Sequence, residues 1–264
     1  MPELPDVEGY RRYFARHATG KEIKSVEVRN LSIVRNTSAQ GLGRALKGRT
    51  FNRPQRHGKW LIAPLAGAGD PASVLLHFGM TGRLSWAGPG AGEPHRHDRV
   101  IFRLSGGELR YRNMRMLGGV WLARGQRGIE RITGPLGPDA GTVDRDQFEQ
   151  LLAGRRGGLK ATLMNQRLIA GIGNELSDEI LWQAKLNPRR SVAALRRRQR
   201  ERLQITMQEV IRESNRHGLI PRRRGWLTEQ RGRPDAACPR CGRRFRRETI
   251  AGRTAYWCTR CQRG

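Results

Sequence analysis

Residues 238–261 read Cys238-Pro-Arg-Cys-Gly-Arg-Arg-Phe-Arg-Arg-Glu-Thr-Ile-Ala-Gly-Arg-Thr-Ala-Tyr-Trp-Cys-Thr-Arg-Cys261. Two Cys-x-x-Cys turns enclose sixteen residues, and the chain has no other cysteine. Each turn sets two thiolates side by side, and four thiolates make the tetrahedral sulfur set that suits Zn²⁺. Arg244, Phe245, Arg247, Thr249 and Tyr256 between the turns fit a β-hairpin of zinc-ribbon type. The other reading, a redox dithiol, uses one Cys-x-x-Cys rather than two framing a hairpin. Cys238, Cys241, Cys258 and Cys261 leave no open coordination position, so one structural Zn²⁺ is expected.

Upstream of this module, Pro221-Arg-Arg-Arg224 reads as a basic linker. Before it, Leu203, Met207, Val210 and Ile211 share one face of a long helix, placed at about 192–216 and ending near Gly218. Asn187-Pro188 breaks the helix before, near 174–185, and another lies near 159–166. Asp144-x-x-Gln147 is a capping-box-like start leading into Phe148, Leu151 and Leu152. From about 22 to 125 the period changes. Short apolar runs at 60–65, 72–78, 99–104, 109–112 and 119–123 alternate with Gly/Pro/Asp clusters, the pattern of a β-sandwich or barrel. Residues 86–97 form a loop by composition. At the start, Val7, Tyr10 and Phe14 predict a helix over 4–17, with Asp6 and Glu8 at its positive end. The expected organisation is a β-rich domain over 1–130, a helical domain over 131–220, and a linker with metal hairpin over 221–264.

Charge narrows the partner. The chain has 51 Lys+Arg against 23 Asp+Glu, a net +28. A field of that size needs a polyanion to screen it, and nucleic acid is the usual one. An anionic membrane is the rival, but no apolar run approaches the roughly 20 residues of a spanning helix. The N-terminus also lacks the layout of a signal peptide. A cytoplasmic, nucleoid-associated monomer is expected. Only Lys21, Lys24, Lys47, Lys59, Lys160 and Lys185 could serve as side-chain amines in this arginine-rich chain.

Two short motifs bear on chemistry. Ile169-Ala-Gly-Ile-Gly-Asn174 precedes a helix, and amides at a helix start attract phosphate. Read alone it is a helix–turn–helix with glycines for packing; with the positive charge it becomes a candidate grip on a DNA backbone. Met1-Pro2-Glu3 places a small residue after the initiator Met, whose removal would expose a secondary amine. Such an amine has a pKa of ~7.7–8 and is partly unprotonated at neutral pH. It can attack a sugar C1′ to form an iminium, and Glu3 could protonate the opening sugar oxygen. On composition alone the favoured reading is a disordered terminus with an incidental proline.

Met1-Pro-Glu-Leu-Pro-Asp-Val-Glu8 resembles the N-terminal signature of the formamidopyrimidine-DNA glycosylase/endonuclease VIII family. His57-Gly-Lys-Trp60, His77-Phe-Gly-Met-Thr-Gly82, His97-Asp98, Gly134-Pro-Leu-Gly-Pro138, Leu163-Met through Gly171-Ile-Gly-Asn174, and the four-cysteine finger follow in family order. The resemblance spans essentially the whole chain. It implies an α+β fold: an N-terminal β-sandwich flanked by helices, a helix–two-turn–helix domain, and a Cys₄ zinc-finger hairpin. It also implies a bifunctional DNA glycosylase/AP lyase acting on double-stranded DNA that carries damaged bases or abasic sites. By position, Pro2 would be the nucleophile and Glu3 the acid. Lys59 would contact phosphate and assist the lyase steps. Asn174 and Arg253 would clamp phosphates around the flipped nucleotide. Lys160 matches a phosphate-contacting lysine, and His97 falls among the DNA-contacting positions. Met80 and Arg115 fall where the family inserts side chains into the gap left by the extruded base. Without the resemblance, Met80 reads as core and Arg115 as one more surface arginine.

Three departures stand out. Asp6 replaces the usual Glu. Asn113-Met-Arg-Met-Leu-Gly118 replaces Asp-Pro-Arg-Arg-Phe-Gly, so Leu117 stands for the aromatic wedge and Met116 for a basic residue. Residues 219–237 leave little room for the loop that caps oxidised purines. Leu117 stacks less well than an aromatic ring. Lesions that already unstack are therefore expected to be favoured over 8-oxoguanine. A non-catalytic damage-binding protein of the same fold is the alternative, and Pro2, Glu3 and Lys59 together count against it. A zinc-ribbon transcription factor leaves the N-terminal motif unexplained.

Overall fold

A computed structural model describes residues 2–263. The chain forms two compact units, one holding Pro2 and Val7–Pro135, the other Glu3–Asp6 and the residues from Leu136 onward.

The first unit carries most of helix α1 (Leu4–Ala18), then β1 (Ile23–Val28), α2 (Ala39–Leu46), β2 (Thr50–Phe51), β3 (Gln55–His57), β4 (Trp60–Ala66) and β5 (Ala72–His77). It continues through β6 (Arg83–Ala87), β7 (Asp98–Leu104), β8 (Gly107–Arg112), β9 (Gly119–Arg124) and α3 (Gly125–Thr133). One sheet runs β1-β7-β8-β6; the other runs β2-β4-β5-β9, with β3 also on β4. Every pairing within these sheets is antiparallel. Both sheets give apolar residues to one core, where Phe51, Leu61, Val74 and Leu76 meet Val100, Phe102, Leu109 and Tyr111. Helix α1 joins this core through Val7, Phe14 and Ala18, the face its period marked. Phe14 meets Phe51 edge-on at 4.9 Å, and Tyr10 lies 4.3 Å from Phe78.

Two helices here escaped the sequence. Helix α2 contains Gly41 and Gly43, which dilute its apolar period, although Ser38 caps it by accepting the Gly41 amide at 2.9 Å. Helix α3 has only Ile129 and Ile132 to show, and both pack on the outer patch of Ile62, Leu75 and Ala123.

The second unit contains α4 (Arg145–Leu152), α5 (Leu159–Met164), α6 (Asn174–Gln183), α7 (Arg197–His217), α8 (Leu227–Gln230) and the hairpin β10 (Arg246–Ile250) and β11 (Arg253–Trp257). The capping box forms as read: Asp144 accepts the Gln147 amide at 2.8 Å, and Gln147 accepts the Asp144 amide at 3.3 Å. The long helix begins five residues later than expected. Val192–Ala194 form a separate 3-10 turn, and Leu195 is extended with its side chain buried in the core. The Gln199 side chain then accepts the Arg196 amide at 3.0 Å, and α7 starts there. Leu4, Phe148, Leu163, Ile172, Leu176, Ile180, Leu203, Met207 and Val210 form the helical core.

Residues 222–225 are exposed and irregular, as a basic linker would be, while other parts of 219–237 are tied down. Arg231 pairs with Asp178, and Arg223 with Glu213 at 2.7 Å. Arg222 lies 3.8 Å from Glu175, and Arg233 lies 3.9 Å from Glu229. Thr228 is wholly buried, and its amide donates to Glu179 at 2.9 Å. Glu179 is itself wholly buried and also accepts from Gln183 at 2.8 Å. Burial pushes its carboxyl up to about 7, against the opposing pull of Gln183, Thr228 and Arg240.

A carboxyl whose folded pKa lies above its unfolded value favours folding while it is protonated. That contribution is complete below about 4.5 and is lost as pH rises through about 7. Thermal melts from pH 4.5 to 8 should therefore show wild type losing more stability than Glu179→Gln. Parallel profiles would contradict the assignment.

Candidate active site and zinc centre

The first turn of α1 holds the N-terminal motif in place. The Asp6 carboxylate reaches back and accepts the Glu3 amide at 2.8 Å, half of a capping box. That N–H belongs to the peptide joining Pro2 to Glu3, so the bond fixes the link between the two. The shorter side chain of Asp6 makes the contact without strain in reach. Burial raises the Asp6 carboxyl above its usual range, and the bond from Glu3 opposes this.

The Glu3 side chain turns toward the start of α6. Its carboxylate accepts the amides of Gly173 at 2.9 Å, Glu175 at 2.9 Å and Leu176 at 3.1 Å, and Glu3 is only 1 % exposed. A helix begins with amides that have no partner in the helix and with a positive partial charge. Gly173 is the N-cap and has no side chain to satisfy them. A carboxylate 170 residues away in sequence does so instead. A Cβ at Gly173 would lie 2.3 Å from Glu3 Cδ and 2.4 Å from Oε1, so only glycine leaves room. The Leu4 amide adds a bond to the Gly171 carbonyl at 3.1 Å. Three amides of the helix start are spent on Glu3. The Asn174 amide is not among these donors.

Lys160, matched by the resemblance to a phosphate-contacting lysine, lies inside the second unit. It is wholly buried, and its ammonium bonds Asp178, Ser177 Oγ at 3.1 Å and the Asn174 carbonyl at 3.2 Å. Its side chain is 0 % exposed, so the ammonium is not presented at the surface. Burial lowers its pKa, and Asp178 opposes the shift. Asp178 is the hub that the sequence did not reveal, an acid on the buried stretch Leu176–Trp182 of α6. It takes Lys160 and Arg231 as partners and accepts the Tyr256 amide at 3.1 Å. The Thr254 carbonyl accepts from Asn174 Nδ2 and Arg231 Nη2, both at 2.9 Å. Asn174 is thereby brought beside β11, one residue from Arg253, whose side chain is exposed. The expected pair shares one locality.

The first unit holds the other candidates. Lys59, half-buried, lies in the turn between β3 and β4. Burial, and then the charge of Lys59, bring His77 down to about 4, so His77 is neutral at physiological pH and its Nδ1 accepts the Gly79 amide at 3.2 Å. Met80 is 40 % exposed and Leu117 55 %, which removes Met80 from the core. Arg115 is exposed as well, and its amide donates to Thr81 Oγ1 at 3.0 Å, tying its loop to that of Met80. His97 is half-buried; its Nδ1 lies 3.1 Å from Arg99 Nη2, and its carbonyl accepts the Asn113 amide at 2.9 Å. Pro2 is half-buried, and Met1 lies outside the described residues.

The four cysteine sulfurs lie within 4.8 Å of one another. A tetrahedron of thiolates at ~2.3 Å from zinc has sulfur–sulfur edges near ~3.8 Å. Cys238 and Cys261 are 3.9 Å apart and Cys241 and Cys258 are 3.5 Å apart, so the set fits zinc. Neighbours fix the ligands. Trp182 Nε1 donates to Cys238 Sγ at 3.4 Å, and Gln262 bridges the Cys258 amide (2.8 Å) and the Leu186 carbonyl (2.9 Å). Arg240 stacks 3.8 Å from the Trp182 ring and donates to the Trp182 and Gln183 carbonyls, satisfying the end of α6.

Three family descriptions match the chain in order: the formamidopyrimidine-DNA glycosylase N-terminal domain at residues 1–120, its H2TH domain at 136–221, and the zinc finger found in FPG and IleRS at 237–264. The formamidopyrimidine-DNA glycosylase of Symbiobacterium thermophilum is 32% identical over 280 residues, covering 99% of this chain and 89% of the relative. The chain belongs to the formamidopyrimidine-DNA glycosylase family. That of Alkalilimnicola ehrlichii is 33% identical over 283 residues, covering 100% of both. Among solved structures, Lactococcus lactis Fpg in complex with DNA containing N7-benzyl-Fapy-dG superposes with a TM-score of 0.88. It is 27% identical, and the match covers 100% of both chains. The same protein with abasic-site DNA also scores 0.88, over 99% of this chain and 100% of the other. The expected fold is therefore the observed one, and the zinc-finger match agrees with the geometry of the four cysteines. Among the described residues no helix is long and apolar enough to cross a membrane.

One zinc per chain is expected by native mass spectrometry. Cys258→Ser should lower that stoichiometry and open the hairpin to proteolysis. A metal-free chain whose hairpin stays protected would contradict a structural zinc.

Proposed function

We propose that this chain is a bifunctional DNA glycosylase/AP lyase of base excision repair, which excises oxidised bases from duplex DNA through a Schiff base on Pro2. The observation that carries this reading is the seat of Glu3, locked by three amides of α6 while Asp6 holds the peptide that joins it to Pro2. Such fixation is costly for a terminus with no role. Once Met1 is removed, the Pro2 nitrogen attacks C1′ of an extruded nucleotide. The N–C1′ bond forms, the glycosidic bond breaks, and the base leaves with the proton that the Pro2 nitrogen gives up. Glu3 delivers a proton to the ring oxygen as the sugar opens to an iminium. Loss of a C2′ proton then expels the 3′ phosphate, and a second elimination expels the 5′ phosphate. Lys59, Asn174 and Arg253 hold the flanking phosphates, and His97 is a further DNA contact. Met80, Arg115 and Leu117 fill the gap in the stack. The buried Lys160 supports Asn174 through its carbonyl, and it contributes by positioning. The named substrate of the relatives, a formamidopyrimidine, is a ring-opened purine and belongs among lesions that unstack readily. The short span 219–237 and the aliphatic Leu117 favour such lesions, abasic sites and oxidised pyrimidines over 8-oxoguanine. The nucleoid is the expected workplace.

Borohydride trapping on an abasic duplex tests the nucleophile. A chain whose N-terminus is blocked by an uncleavable tag should bind the duplex but give no trapped adduct. Adduct at the normal rate from the blocked chain would assign the nucleophile to one of the lysines. In single-turnover excision on matched duplexes, thymine glycol should leave faster than 8-oxoguanine; the reverse order would place the chain with enzymes fitted to purine lesions.

A further inference from the structure

The tip of residues 113–118 carries Arg115 and Leu117 on a backbone that does not hold itself. Met116 has φ +52°, the left-handed region that side chains with a Cβ avoid. Strain of that kind persists only where neighbours over-determine it. Two side chains do so here.

Asn113 works from inside. It is wholly buried, and its Oδ1 accepts the Met116 amide at 2.9 Å and the Thr81 hydroxyl at 3.2 Å. Its Nδ2 donates to the Tyr111 hydroxyl at 2.9 Å. Arg35 works from the other side. Its Nη2 donates to the carbonyls of Met116 and Gly118, each at 2.7 Å, and its Nε donates to the Gly118 carbonyl at 3.2 Å. The Arg35 amide is itself anchored on the Val120 carbonyl at 3.0 Å. A Cβ at residue 119 would stand 2.8 Å from Arg35 Cγ, so the bare backbone of Gly119 forms the slot along which the side chain runs. The planar guanidinium fork suits two carbonyls on one turn better than a point charge does.

We infer that Arg35 is a positioning residue for base extrusion. It fixes the 113–118 tip before DNA arrives, so that Leu117 and Arg115 enter the stack already formed. An aliphatic wedge gains less from stacking than an aromatic one, and its chief asset is then rigidity. This rests on the glycosylase reading above, in which the tip enters the gap. The demand is greatest when the target base is still stacked, and least at an abasic site, where no base has to be driven out.

The test compares Arg35→Ala and Arg35→Lys with wild type on two duplexes, one carrying 8-oxoguanine and one a preformed abasic site. A 2-aminopurine beside the lesion reports unstacking. Arg35→Ala should slow both the 2-aminopurine phase and base excision by about 10- to 100-fold, the size of effect expected from a misplaced group. Trapping on the abasic duplex should stay at the wild-type rate, and Arg35→Lys should recover part of the loss. Hydrogen exchange at 116–118 should quicken in Arg35→Ala without DNA, a readout independent of activity. Unchanged exchange there overturns the clamp. Equal losses on both duplexes also overturn it, because they report general damage to the fold. Wild type that traps on neither duplex overturns the glycosylase reading, and the exchange result then still decides whether Arg35 holds the tip.

Discussion

A carboxylate at the third residue of the chain satisfies the start of a helix 170 residues away. The arrangement exchanges two liabilities for one contact. Helix α6 has a glycine N-cap and would leave its first amides bare, and the buried Glu3 carboxylate would lose three donors. An N-cap side chain contributes about 0.5–2 kcal/mol in ordinary helices. Here the same geometry also determines where Glu3 lies. The interaction constrains sequence on both sides. Residue 173 must lack a Cβ, and residue 6 must reach the Glu3 amide.

The rest of the second unit follows from α6 being held at both ends. Arg240, inside the first Cys-x-x-Cys turn, bonds the last carbonyls of the helix and stacks on Trp182, whose indole donates to Cys238. Between the ends, Asp178 gathers Lys160 and Arg231 and the β11 backbone. Removing one partner from a buried ionic cluster costs roughly 3–5 kcal/mol, because the others are left without compensation. Lys160, Asp178 and Arg231 therefore read as one structural unit that presents Asn174 and the strand carrying Arg253. Zinc binding and the seat of Glu3 share a single helix.

What could be read from the sequence was mostly local. The cysteine spacing, the Asp144–Gln147 box and the apolar stripe of α7 each lie within a few turns of chain, and each appears as read. Long-range partnerships could not be read that way. Nothing near Gly173 says that Glu3 will fill its place, and nothing near Lys160 says that Asp178 will draw it inside. The arginines of 219–237 read as a basic linker because three of the acids they meet, Asp178, Glu213 and Glu175, sit on other elements. Helix α2 was masked by its own glycines, and the late start of α7 follows from the burial of Leu195, a tertiary effect. Exposure of Met80 was legible only through the family pattern, since a methionine in an apolar run otherwise belongs to a core.

The seat of Glu3 can be perturbed by one methyl group. Gly173 has φ −119° and ψ −159°, which alanine adopts freely, so Gly173→Ala adds a Cβ without backbone strain. That carbon occupies the space of the Glu3 carboxylate and must displace it. The decisive measurement is the rate of borohydride-trapped adduct formation by Gly173→Ala on an abasic duplex, with zinc content determined on the same sample. Loss of a positioned proton donor predicts a fall of about 10²-fold or more, with one zinc retained. Trapping at the wild-type rate would show that the amides of α6 do not set the position of Glu3 for catalysis.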